Sequence, residues 1–382
     1  MTISASEWTR RAHHLADTLA RRGDLHGEAW FAAVAETPRH LLVPSVHKQD
    51  DIGAWRKIDT TTPAGLDLVY SPETLVTAVE RRGGHDIAVS SSTKPDLMVR
   101  MLEILDVHKG HRVLEIGTGT GYNAALLAHR LGDDAVFSVD VDQPLVDVAR
   151  ERLATFGRHP TLVAVDGIHG LPEHAPYDRI IATCSVPAVP LAWAEQLADN
   201  GRVLVDLKLG TGAGNLVDLR RYPHRLEGRF IDRWAAFMAM RHENAPAARH
   251  DARASDAIER TTSAPPQPWW DQLVVWFLAQ FRLPRGVTFG MRVDTETRKQ
   301  ITATLSCPDG SWAEIGLDEH DGVRQVVEAG PTRLWEPIEH AHAQWVALGE
   351  PDWPRFGLTV TPSQQWVWLD ESNGDHAWQL TA

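Results

Sequence analysis

The stretch Arg112-Val113-Leu114-Glu115-Ile116-Gly117-Thr118-Gly119-Thr120-Gly121-Tyr122 decides how the chain is read. Val113, Leu114 and Ile116 read as a buried strand, three glycines alternate with threonines, and Asn123 to Arg130 carries the helical run Ala-Ala-Leu-Leu-Ala. Strand, glycine turn and helix in that order make the first βα unit of a doubly wound sheet, whose ligand sits at the carboxyl end of the strand. Glycines there let the backbone approach a ligand with no Cβ in the way. The pattern is E-x-G-x-G-x-G, with Glu115 two residues before Gly117, and not the dinucleotide pattern G-x-G-x-x-G. Beside Glu115 an anion is repelled and a cationic, amine-bearing ligand is favoured. Asp140 stands nineteen residues after Gly121 and ends the apolar run Ala135 to Val139, a place from which a carboxylate accepts from ribose hydroxyls.

Glu115, the glycine loop and Asp140 together resemble the S-adenosylmethionine site of class I methyltransferases. The expected fold is therefore α/β, a Rossmann-like doubly wound sheet, with S-adenosylmethionine as cofactor and S-adenosylhomocysteine as product. The expected cofactor residues are Glu115, Gly117, Thr118, Gly119, Gly121, Tyr122, Asn123, Asp140, Val141, Asp166, Gly167 and Thr183. The alternation continues with a helix over 142–156 and a strand over 162–165 that ends in Asp166-Gly167. An acid at that strand end is placed to accept from an adenine amino group. A strand over 177–183, a helix over 190–198 and a strand over 201–207 follow, and 215–221 with 229–240 read as a closing hairpin.

Upstream, Ser6 to Arg22 and Glu28 to Ala35 read as helices, and Asp50 to Asp67 as polar and irregular. Ser90-Ser91-Ser92-Thr93 then precedes Lys94-Pro95 and a helix over 96–105. One hydroxyl suffices to cap a helix, so the remaining ones are assigned to the substrate. Downstream, 243–268 is rich in alanine, proline and polar residues and reads as a linker. Beyond it lies a tryptophan-rich α+β region with no catalytic motif, its tryptophans expected mostly in a core. The expected domains are an N-terminal substrate-side segment (1–110), the methyltransferase core (111–242), the linker and a C-terminal accessory domain (269–382).

The formal charge of −13, from 38 basic and 51 acidic residues, lacks the global basic footprint of a nucleic-acid binder. Cys184 and Cys307 form no C-x-x-C pair, so neither a zinc site nor a disulfide framework is expected. Met1 to Trp8 is polar and no apolar run reaches membrane-spanning length, so a cytoplasmic protein with no membrane partner is expected.

From about Phe31 to Gly210 the chain resembles the protein-L-isoaspartate O-methyltransferase family. Thr37-Pro38-Arg39-His40-Leu41-Leu42-Val43-Pro44 is similar to its V-P-R-x-x-F-V-P entry, and Thr93 to Met101 to its S-Q-P-x-x-V-A-x-M helix. Val113 to Ala128, Asp166-Gly167, Ala175 to Asp178 and Thr183 to Pro187 follow further motifs of the family. The resemblance puts the family's active-site serine on Thr93 and its glutamine on Lys94. An insertion around Tyr70 to His85, the serine run and the region after about Met240 are extra. That layout resembles the variant homologues of graspetide, lasso and lanthipeptide maturation systems. The implied activity is methylation of an aspartyl side chain in a ribosomally made precursor peptide, whose ester cyclises to an aspartimide. The alternative is repair of isoaspartate in damaged proteins, and a non-catalytic peptide-binding scaffold is a third reading. The expected catalytic residues are Ser91, Ser92, Thr93 and Lys94, and the expected partner is a peptide or protein bearing Asp or isoAsp. A base-methylating role is disfavoured, because the strand end reads Ala182-Thr183-Cys184-Ser185 where amino-methylating enzymes carry [DNS]-P-P-[YFW].

Overall fold

The computed structural model describes residues 4–50, 53–82, 84–240, 255–294 and 296–380. The chain opens with α1 (Ala5–Arg21), α2 (Glu28–Glu36) and the single turn α3 (Arg39–Leu42). A four-stranded antiparallel sheet follows, built from β1 (Ser45–Gln49), β2 (Trp55–Asp59), β3 (Leu75–Arg82) and β4 (His85–Ser92), with α4 (Pro63–Val69) inserted before β3. The stretch expected to be irregular, 50–67, thus holds β2 and most of α4. Thr62 caps α4 by accepting from the Gly65 N–H, and Pro63 starts it, a combination that is legible only once the preceding strand is known.

α5 (Pro95–Ile104) leads into the main sheet: β5 (Val113–Ile116), α6 (Tyr122–Leu131), β6 (Val136–Asp140), α7 (Gln143–Ala154), β7 (Thr161–Ala164), β8 (Tyr177–Val186), α8 (Leu191–Gln196) and β9 (Leu197–Gly210). The parallel part runs β7-β6-β5-β8-β9 in space. β5 to β7 build outward on one side and the chain then crosses back to β8, so the switch point lies between β5 and β8. β5 is buried at every residue, as a strand covered on both faces must be. Alternate side chains feed two cores. Val113, Ile181 and Leu204 pack with the N-terminal helices, and Leu114, Ile180 and Val203 pack on the opposite face with Trp193 and Tyr177.

β10 (Ala213–Tyr222) and β11 (Arg225–Phe230) continue the sheet antiparallel. The expected strand 229–240 ends at Phe230, and residues 231–240 fold back as an irregular strap. The reason is side-chain capture. Buried Asn215 donates to the Ile231 carbonyl and accepts from the Ala235 N–H, while buried Asp206 accepts from the Phe237 N–H.

The C-terminal part departs from a linker and a separate domain. The span expected as linker contains β12 (Ile258–Thr262), while 241–254 lies outside the described residues. After α9 (Pro268–Asp271) and α10 (Leu273–Ala279) come β13 (Thr288–Val293), β14 (Gln300–Ser306), β15 (Trp312–Gly316) and β16 (Arg324–Ala329). These four strands and β12 form a five-stranded antiparallel sheet. After α11 (Glu336–Ala347), β17 (Phe356–Val360), β18 (Gln365–Leu369) and β19 (Ala377–Gln379) join the main sheet, with β17 pairing along β11. β17 covers an edge that β11 would otherwise leave open. Of the C-terminal tryptophans, Trp269, Trp276, Trp335, Trp353 and Trp368 are buried and Trp270 is exposed. No helix among the described residues is long and apolar enough to cross a membrane.

Phe277 of α10 is fully buried against Phe230 of β11, with ring centroids 5.5 Å apart. Phe277→Ala should therefore cost about 3–5 kcal/mol. Urea unfolding followed by fluorescence should remain one transition, shifted as a whole. A separate early transition for the C-terminal part would show that the two regions are thermodynamically independent.

Candidate active site

A cleft of about 990 Å³ opens at the carboxyl ends of β5 and β8, beside the end of β4 and under the strap. Its lining includes Glu115, Gly117, Thr118, Gly119, Tyr122, Asn123, Asp140, Val141, Gly167 and Thr183 from the expected cofactor set. The same lining includes Ser91, Ser92, Thr93 and Lys94. Two members of the expected set stand apart from the wall. Gly121 turns the chain into α6 with φ of 80°, and Asp166 caps a short turn by accepting from the Ile168 N–H at 3.0 Å. That cap uses Oδ1 of Asp166 and brings Gly167 to the wall.

The glycine loop has its shape because two glycines need it. Gly117 has φ of 103° and Gly119 φ of 50°, and a Cβ on Gly117 would lie 2.6 Å from Thr183 Oγ1. Thr183 Oγ1 donates to the Gly117 carbonyl at 2.8 Å, so this strand-end threonine fastens the loop. Asp140 Oδ2 accepts from the Gly119 N–H at 3.0 Å and ties the other side of the loop to β6.

Glu115 is buried, with Oε1 accepting from Asn123 Nδ2 at 2.8 Å and Oε2 from Ser138 Oγ at 2.6 Å. Burial pushes its carboxyl up to about 7, against the opposing pull of the hydrogen bonds from Ser138 and Asn123. Both oxygens are thus engaged by the protein, so Glu115 meets a ligand chiefly through its charge. Asn123 Oδ1 is buried and has no hydrogen-bond partner among the described residues. An orphaned acceptor and a loop whose glycines leave the space of a Cβ empty fit S-adenosylmethionine, which carries an ammonium and a sulfonium.

The hydroxyl run is sorted by strand alternation. Ser90, Ser91 and Ser92 lie in β4, not in a free loop before the helix. Ser90 and Ser92 are buried. Thr77 Oγ1 donates to Ser90 Oγ at 2.9 Å, and Arg39 Nη2 donates to Ser92 Oγ at 3.1 Å. Ser91 and Thr93 are half-buried, and their hydroxyls have no partner among the described residues. The Ser91 carbonyl lies 4.0 Å from where a Cβ on Gly119 would stand, so the strand crosses directly beside the loop. Ser92 therefore belongs to the frame and not to the open set, a correction to the expectation that three hydroxyls hold the substrate. Lys94 is half-exposed and sits 3.6 Å from Asp96, which offsets part of its charge.

Two contributors were not singled out in the sequence. Arg39, fully buried, donates to the carbonyls of Val69, Ser71 and Thr93 besides Ser92, and lies 5.1 Å from the Tyr122 ring centroid. Its only sequence signal is its place in the Thr37–Pro44 motif. The strap adds Arg233 to Met240 as a cleft wall, for which the sequence carries no local signal. Among the described residues no group of His, Cys, Asp or Glu is arranged to hold a metal ion.

Glu115 makes the site pH-sensitive. Its acid form is favoured in the folded chain, so its contribution to stability is complete below the ordinary carboxylate range and is lost as pH rises through about 7. The ionised form, which attracts a cation, gains over the same interval. Affinity for S-adenosylmethionine should rise between pH 6 and pH 8, with Glu115→Gln flattening the rise and weakening binding about tenfold at pH 8. Calorimetric titration at both pH values checks this, and an unchanged slope in the variant would assign the pH dependence elsewhere.

The family model described as protein-L-isoaspartate(D-aspartate) O-methyltransferase matches residues 10–229. A protein-L-isoaspartate O-methyltransferase of Methanococcoides burtonii is 35% identical over 191 residues, 50% of this chain and 80% of that protein. One from Thermotoga maritima is 38% identical over 151 residues, 37% of this chain and 48% of its own length. A solved structure titled protein-L-isoaspartate O-methyltransferase, 22% identical, superposes on 94% of this chain and 99% of its own with a TM-score of 0.54. That span reaches past residue 229, where the family model ends. The chain belongs to the protein-L-isoaspartate O-methyltransferase family, whose members use S-adenosylmethionine.

Proposed function

We propose that the chain methylates the side-chain carboxylate of an aspartyl or isoaspartyl residue in a polypeptide. The observation that carries this reading is the pair of open hydroxyls, Ser91 and Thr93, set beside the glycine loop in one cleft. S-adenosylmethionine, when bound, supplies an electrophilic methyl group. Gly117, Gly119, Asn123 and Asp140 are the residues that hold it, with Glu115 contributing charge. The acceptor carboxylate is ionised at neutral pH, so no general base is needed. What the protein supplies is orientation and exclusion of water. Ser91 and Thr93 donate to one carboxylate oxygen and leave the other as nucleophile. Neutral donors suit that task, because a cationic clamp would stabilise the nucleophile and slow it. Lys94 adds attraction at longer range.

The names of the relatives favour an isoaspartyl carboxylate in damaged proteins as the acceptor. A second reading, an ordinary aspartate in a ribosomally made precursor peptide, is favoured by Thr93 and Lys94, which stand where the family resemblance places serine and glutamine, and by the serine run before them. In that case the next residue's backbone nitrogen attacks the ester carbonyl. A C–N bond forms, the C–OCH3 bond breaks, and the amide proton leaves with methoxide as methanol.

Labelled S-adenosylmethionine, purified enzyme and an extract of the source cells separate these readings under mildly acidic conditions that preserve esters. Label spread over many proteins at isoaspartyl sites supports repair. Label on one small peptide, with a later loss of water relative to its starting mass, supports peptide maturation. No transfer despite cofactor binding refutes the enzymatic assignment. Thr93→Ala should lower kcat about 10- to 100-fold, the loss of one hydrogen bond to a charged group, with cofactor affinity unchanged. Asp140→Ala should weaken cofactor binding, and normal affinity would remove Asp140 from the cofactor site.

A further inference from the structure

We propose that Asp206 and Lys208 are positioning residues for the cofactor: together they clip the strap at Phe237, and the clipped strap closes the cofactor side of the cleft. The proposal rests on the reading of the cleft as an S-adenosylmethionine site and names what holds its wall. Asp206 and Lys208 stand two residues apart on β9, so their side chains leave the same face of the strand. They form an ion pair at 2.8 Å, and each also reaches the same residue of the strap. Asp206 Oδ2 accepts from the Phe237 N–H at 2.8 Å, and Lys208 Nζ donates to the Phe237 carbonyl at 3.0 Å. One strap residue is thus gripped at both of its backbone groups by opposite charges.

Phe237 is the middle of a bridge along the cleft. At one end Arg233 Nη1 meets the buried Asp24 carboxylate at 2.6 Å, which ties the strap to the turn after α1. At the other end the Ser185 N–H donates to the Met238 carbonyl at 2.9 Å, and the Met240 N–H donates to the Ser185 carbonyl at 2.8 Å. Ser185 follows Thr183 and Cys184, both on the cleft wall. Met240 Cε lies 3.9 Å from where a Cβ on Gly167 would stand, so this end of the strap reaches the wall assigned to the cofactor. Between the ends Ala235 is buried, while Trp234, Ala236, Met238 and Ala239 are exposed. The strap is therefore held more by polar contacts than by apolar burial, and segments held in that way open at low cost. The hydrogen bonds at its middle then decide how large a fraction of molecules has it closed. A buried ion pair is otherwise a poor device for stability. Desolvation raises the Asp206 pKa against the pull of Lys208 and of the Phe237 N–H, and apolar replacement of such a pair commonly leaves a fold as stable as before. What this pair supplies is a grip on backbone groups outside the ladder of its own strand.

The test compares the full chain with its double variant Asp206→Val/Lys208→Met, which removes both grips without leaving a buried charge unpaired. Amide exchange at 236–240 should quicken about 5- to 30-fold, the effect of two lost hydrogen bonds, while exchange in β5, β6 and β8 stays as it was. S-adenosylhomocysteine should dissociate faster, and KM for S-adenosylmethionine should rise about 3- to 10-fold with kcat held within about twofold, because apparent affinity falls with the closed fraction. Phe237→Pro removes the same N–H from the strap side, leaves the ion pair intact, and should move all three readouts in the same direction. Unchanged exchange in the strap of both variants overturns the proposal. So does faster strap exchange with cofactor dissociation and KM unchanged, since the strap then does not close the cofactor side. Faster exchange spread through β8 and β9, with a lower melting temperature and cofactor affinity preserved, makes the pair structural only and overturns it as well. Failure of the cofactor reading is seen separately, as a wild-type chain that binds no S-adenosylhomocysteine.

Discussion

A single buried cation holds the end of β4 to the turn after α4 and to the start of α6. The Arg39 guanidinium is fully buried, and desolvation lowers its pKa from the ordinary arginine value. Such a charge is tolerated only where it is well paired. Four acceptors surround it: the carbonyls of Val69, Ser71 and Thr93 and the hydroxyl of Ser92, with the face of Tyr122 beyond. These partners come from the turn after α4, the end of β4 and the start of α6. Arg39 thus sets the distance between the hydroxyl strand and the glycine loop, and by engaging Ser92 it leaves Ser91 and Thr93 as the open pair.

The carboxylates at the glycine loop work in a related way. Glu115 and Asp140 both spend oxygens on protein donors, Glu115 on Asn123 and Ser138, Asp140 on the Gly119 backbone. They shape the loop first and act on a ligand through charge or remaining lone pairs second. A buried carboxylate with its pKa near 7 is a costly element to keep. Its retention is understandable if a cationic ligand restores the interaction that water would otherwise provide.

The strap and the C-terminal strands show how the same sheet carries both stability and site. Asp206 and Lys208 of β9 form a buried ion pair at 2.8 Å that also holds Phe237 of the strap. β17 to β19 extend the sheet beyond β11, and Phe277 packs across that boundary. The cleft wall is therefore backed by the C-terminal region, although among the described residues none after Met240 lines the cleft.

By itself the sequence determined the local units. The βα pattern from Val113 to Val205, the E-x-G-x-G-x-G loop, Asp140 at its strand end and the hydroxyl run before Pro95 all depend on periodicity and on glycine's freedom at positive φ, which are properties of neighbouring residues. What only the tertiary structure decided depends on residues far apart in the chain. Ser92 is withdrawn by Arg39, 53 positions away. Residues 231–240 become a strap because Asn215 and Asp206 capture backbone groups that a hairpin would have paired. The composition shift after His242 reads as a linker, yet β12 and β17 find partners in sheets that no local pattern announces. A strand's partner is chosen by whichever edge is left open and whichever apolar face is left bare, and those are known only when the whole chain has packed.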